Sequence, residues 1–147
     1  NPYYTPHINR PFDQNVIGGY TPQEHPLLGV ARLLDLARQV KATCPDLVVL
    51  GSGYSWLRQH VGQVAAGVLS QGWADIVGLG RGAFAYPDFA RDLLQEGALD
   101  PARTCVACSR CTQIMRDHGR AGCVPFDRVV YAPIYRAGRQ AARQRGG

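Results

Sequence analysis

The chain has 147 residues, 46% of them hydrophobic, and a formal charge of +5. That is enough for one small domain with a core and too little for a complete (β/α)8 barrel, which takes about 250 residues. It contains no apolar run long enough to span a membrane and nothing resembling a signal peptide, so a cytoplasmic protein with no membrane partner is expected.

Fifteen of the sixteen basic residues are arginine. Residues 1–100 carry seven basic and nine acidic side chains, whereas residues 101–147 carry nine and two, so the basic excess belongs to the C-terminal third. A basic tail can serve nucleic acid, but no recognition motif or interleaved aromatic accompanies this one, and nucleic acid is not the expected partner. The sequence starts at Asn1 and its one methionine is Met115, which suggests a fragment of a longer protein.

Residues 1–25 are rich in turn formers and read as a long loop, a kind that is usually functional or disordered. Tyr3, Tyr4 and His7 there read as packing and turn residues, with a ligand contact as the alternative for Tyr3 or Tyr4. Thr21-Pro22-Gln23-Glu24 fits a capping box with proline at the first helical position, and a helix is expected from there to about Thr43. Leu27, Val30, Leu34, Ala37 and Val40 give it one apolar face. Cys44 reads as a small core residue.

Leu47–Leu50 is a short apolar run of the kind that forms a buried parallel strand. Gly51-Ser52-Gly53 follows, and Ser55 can cap a helix from Trp56 to about Ser70, with His60 on its solvated side and Gly72 as its stop. A second strand is expected at residues 75–79. It leads into a glycine-rich turn with Gly80, Arg81 and Gly82, then a helix from about Pro87 to Gln95 stopped by Gly97. A strand that delivers glycines and an arginine to a helix start is either an ordinary connection or an anion site. In the second case backbone N–H groups approach a phosphate and the arginine adds a charged fork. Helix-strand-helix-strand-helix order predicts parallel α/β architecture, with the two strands adjacent.

Cys105, Cys108, Cys111 and Cys123 form C-x2-C-x2-C-x11-C. Disulfides suit a cytoplasmic chain poorly. Structural zinc usually takes two separated C-x2-C pairs. Three crowded thiols with one returning later suit an iron–sulfur cubane. Zinc and redox-active cysteines remain the alternatives. Arg103, Arg110 and Arg116 lie around this stretch, either simply solvated or favouring thiolates. Residues 129–135 are expected to pack back on the domain, and Arg136–Gly147 to fray.

Three stretches, Gly51-Ser-Gly53, Gly78-Leu-Gly-Arg81 and Ala85-Tyr-Pro-Asp88, resemble the flavin-binding barrel of the old yellow enzyme and 2,4-dienoyl-CoA reductase family. Residues 1–11 also resemble the loop after its sixth strand. The resemblance covers most of residues 1–135 and the C-terminal half of the family's barrel. It implies an α/β fold, the C-terminal part of a (β/α)8 TIM barrel over residues 1–98, a cluster-binding cysteine segment over 99–125, and a basic tail over 126–147. It further implies FMN as cofactor, its phosphate held at Gly51, Ser52, Gly53, Gly80 and Arg81, with Tyr3 or Tyr4 beside flavin or substrate. NAD(P)H would be the reductant and a small molecule with an activated C=C bond the acceptor. Branches of the family that include trimethylamine dehydrogenase carry a [4Fe–4S] cluster on a similar cysteine pattern. The family's proton-donating tyrosine and its histidine pair have no counterpart here, so the chain alone is expected to be inactive. The rival readings are a small zinc-binding interaction module and a phosphate-binding barrel enzyme of other chemistry.

Overall fold

The computed structural model describes residues 24–145. The described residues fall into two compact units, one ending at Ala107 and one beginning at Cys108. Among them no helix is long and apolar enough to cross a membrane.

The first unit opens with α1 (Pro26–Thr43). Proline at its first position loses no bond, and the His25 ring accepts the Leu27 N–H at 3.2 Å. The helix therefore starts four residues later than the expected Pro22. Thr21, Pro22 and Gln23 lie outside the described residues, as do Tyr3, Tyr4 and His7, while Glu24 pairs with Arg32. Cys44 caps α1 and is exposed, so it is not the core residue expected.

The strands β1 (Leu50–Gly51) and β2 (Ile76–Val77) run parallel, with Leu50 opposite Ile76 and Gly51 opposite Val77. Both are much shorter than the apolar runs that contain them. At Val49 the pairing is one-sided: its C=O accepts the Asp75 and Ile76 N–H at 2.9 and 3.2 Å, but its N–H goes to the Asp75 carboxylate at 2.8 Å. Between them lie a 3-10 turn, Tyr54–His60, and α2 (Val61–Ser70). The expected single helix from Trp56 is thus split, and the break falls at Arg58, where φ is 54° and ψ is −126°. Gly72 (φ 64°) ends α2 as expected. After β2 come α3 (Gly80–Ala85) and α4 (Phe89–Glu96), with Gly97 (φ 68°) at the stop. One helix was expected from Pro87. Two form because a proline cannot donate the bond that would carry α3 onward. Val49, Tyr54, Val61, Val68, Ala74, Tyr86 and Leu99 make the core of this unit, with Leu34, Ala37, Leu57 and Leu93 packed against it.

The two strands pair in parallel as expected, but the expected α/β fold, the C-terminal part of a (β/α)8 barrel, does not form. Among the described residues the sheet has two strands of two residues each and most of the chain is helical. Two strands cannot close into a barrel, which needs each strand paired on both edges. The apolar runs accordingly lack the cover expected for them: Val48 is 69% exposed, Leu50 58% and Ile76 48%.

The second unit holds α5 (Arg110–Arg116) and α6 (Arg128–Arg145). Asp127 caps α6, its Oδ1 accepting the Val130 N–H at 3.1 Å. The expected fraying from Arg136 does not occur, since the helix runs on to Arg145. The arginines, glutamines and alanines there are good helix formers, and Pro133 sits early in the helix. Glycines permit close approach of the connecting loop to α6. A Cβ at Gly122 would lie 2.0 Å from Tyr131 Cζ, and one at Gly119 would lie 3.0 Å from Ile134 Cγ2.

Candidate functional site

The glycine turns after β1 and β2 meet at the C-terminal ends of the strands. Gly78 N–H donates to Gly51 O at 2.8 Å, and Ser55 Oγ accepts the Gly82 N–H at 3.1 Å. Ser55 therefore does not cap its own helix as expected. It satisfies one of the N–H groups that the first turn of α3 leaves without a helical partner.

The glycines of the first turn have local reasons to be glycine. A Cβ at Gly51 would stand 2.5 Å from the Tyr54 hydroxyl, and one at Gly53 would stand 2.6 Å from Leu33 Cδ1, with φ at 99° besides. These spaces are filled by the protein's own side chains. Gly80 differs, since nothing lies within 4 Å of where its Cβ would be. Ser52 is exposed, and Arg81 is half-buried in the first turn of α3. None of the five residues expected to hold a phosphate is among those that line the pocket beside these turns.

A small pocket of about 20 Å³, half open to solvent, lies beside these turns. Ser55 and Gly82 line one part of it, Leu79 and Phe89 its apolar wall, and Arg58, Thr104 and Cys105 another part. The first cysteine of the motif and the elements after both strands thus share one pocket.

A polar network stands behind that pocket. Tyr86, 3% exposed, donates its hydroxyl to Asp92 Oδ2 at 2.5 Å. Arg103 reaches Asp92 Oδ2 and Asp88 Oδ2, both at 2.9 Å, and lays its guanidinium 4.0 Å from the centre of the Tyr86 ring. The Asp92 carboxyl is held below its ordinary range, first by the Tyr86 hydroxyl and then by Arg91. The Tyr86 phenol is pushed up, chiefly by the same bond. Arg103, expected to be simply solvated or to favour thiolates, instead ties the start of the cysteine segment to α4.

None of the five cysteines is paired in a disulfide. Cys105 belongs to the first unit, and Cys108, Cys111 and Cys123 to the second. The backbone around them is unusual: Ala107 and Ser109, either side of Cys108, are both left-handed, with φ of 51° and 57°. Such residues are uncommon outside glycine. The Ala107 N–H points at Cys105 Sγ, 3.4 Å away. N–H bonds of this kind stabilise and tune metal-bound thiolates. Among the described residues no three of the His, Cys, Asp and Glu side chains gather in a way that could hold a metal ion.

Sequence reasoning missed Arg58. Nothing marked it, because an isolated arginine at a helix start looks like any solvated charge, and its backbone strain is invisible before folding. No protein-family model, curated protein or solved structure matches the chain.

Proposed function

We propose that the chain serves an FMN-dependent oxidoreductase that accepts hydride from NAD(P)H and delivers it to a small molecule such as one with an activated C=C bond. Cys105, Cys108, Cys111 and Cys123 would hold a [4Fe–4S] cluster. The observation that carries this reading is the shared pocket, in which the elements after both strands lie beside the first cysteine of the motif. FMN, when bound, supplies the hydride chemistry. Arg81 and the open position at Gly80 would meet its phosphate, and Ser52 stands exposed nearby in the β1 turn. Ser55 accepts the Gly82 N–H in the first turn of α3, the turn that carries Arg81. The apolar wall at Leu79 and Phe89 would exclude water. A cytoplasmic setting belongs to the same reading, since thiols stay reduced there.

The test is an absorbance spectrum of the protein purified without oxygen, with iron and acid-labile sulfide assayed on the same sample. Flavin bands together with iron and sulfide in equal amounts are the expected result. Zinc at one equivalent, with neither sulfide nor flavin, would overturn it in favour of a zinc-binding interaction module.

A further inference from the structure

Building on the cluster reading above, we infer that Arg58 and Arg103 are positioning residues for Cys105. Between them they pin the short stem, residues 100–104, from which that thiol is presented.

The stem is fastened from two directions. Arg58 donates through Nη2 to Pro101 O at 3.1 Å and through Nε to Thr104 Oγ1 at 3.3 Å. Thr104, only 4% exposed, passes its own hydroxyl on to Pro101 O at 2.9 Å. Arg103 grips from the other side through its two ion pairs to Asp88 and Asp92 and its stacking on Tyr86. Within the stem, Asp100 closes a turn by accepting the Ala102 N–H at 2.8 Å and the Arg103 N–H at 3.1 Å. Cys105 follows directly, its sulfur accepting the Ala107 N–H.

The backbone of Arg58 supports a role beyond packing. At φ 54° and ψ −126° a non-glycine residue is strained, and such strain persists only where the surroundings over-determine it. Glycine would relieve it. The residue there is an arginine, whose guanidinium reaches the stem of the cysteine segment. This makes Arg58→Gly an informative variant, since it removes the strain and the grip together.

The experiment reads Cys105 directly. In a parent with Cys44, Cys108, Cys111 and Cys123 changed to serine, maleimide labelling of Cys105 is timed for Arg58→Gly, Arg58→Lys and Arg103→Gln. Labelling more than about threefold faster in Arg58→Gly and Arg103→Gln, with the melting temperature of Arg58→Gly at or above the parent's, is expected. A smaller rise in both overturns the inference. If Arg58→Gly fails to fold, Arg58→Lys decides by the same threshold, because lysine keeps the charge and loses the planar fork. Arg91→Gln is the control, as Arg91 pairs with Asp88 and Asp92 but does not touch the stem. In the protein with all five cysteines, the two arginine variants should take up less iron and sulfide on anaerobic reconstitution, and the control should not. If the unmodified protein takes up neither, the cluster reading fails, and the labelling rates still decide the clamp.

Discussion

Ser55 Oγ accepts the backbone N–H of Gly82 at 3.1 Å, joining the segment after one strand to the first turn of the helix after the other. The contact spans 27 residues of sequence and leaves so little room that a Cβ at Gly82 would stand 3.1 Å from the same oxygen. Ser55→Ala removes the acceptor and leaves the N–H in a part-buried place. It should cost about 1 kcal/mol, the usual worth of a helix cap. Urea unfolding checks this, with a lower midpoint and an unchanged slope as the expected outcome.

Arg81→Ala tests the phosphate assignment. A charged hydrogen-bonded contact of this kind contributes about 1.5–3 kcal/mol, so FMN should bind about ten- to a hundredfold more weakly. Fluorescence titration with FMN measures it. Unchanged affinity would remove Arg81 from the site.

Asp75 governs the acid response of the strand pair. Its carboxyl lies below the ordinary range, first because it accepts the Val49 N–H and then because of Lys41, 3.0 Å away. A carboxyl with a depressed folded value adds stability above its unfolded value of about 3.9, and that stability is lost as pH falls through the folded value. Asp92 and Asp35 act in the same direction. Unfolding midpoints should therefore be flat from pH 7 to about pH 5 and decline below about pH 4. In Asp75→Asn the decline should be shallower, starting from a lower plateau.

Gly122→Ala probes the second unit. The added Cβ would sit inside the Tyr131 ring, 2.0 Å from Cζ and 2.3 Å from both Cε atoms, so the ring or α6 must move. Overpacking of this kind costs about 1–3 kcal/mol. Tyr131→Leu should restore part of the loss in Gly122→Ala while costing stability alone. A double-mutant cycle by thermal melting would show that coupling.

Helix stops were legible in the sequence, helix starts less so. The ends near Thr43, Gly72 and Gly97 and the parallel pairing of two apolar runs follow from local propensity and period, which the chain carries whatever its surroundings. The spacing of the four cysteines was legible in the same way. Strand length was not. Leu47 to Leu50 reads as a buried strand, but a strand exists only where another backbone completes its hydrogen bonds, and the Asp75 carboxylate takes the Val49 N–H instead. The barrel expectation failed because closure belongs to the set of pairings and not to any one run, and among the described residues only two strands pair.

Arg58 shows the same division at the site. By sequence it is one arginine among fifteen. Its importance comes from a left-handed backbone and from a reach to Pro101 and Thr104 more than forty residues away. The amino-acid sequence by itself determined which residue types were available for thiolate and anion chemistry, and where helices could stop. Only the tertiary structure decided which glycines had their space already filled, which arginines became ties, and which thiol shares a pocket with the glycine turns. Those are properties of distances between remote residues, and a distance of that kind does not exist until the chain has folded.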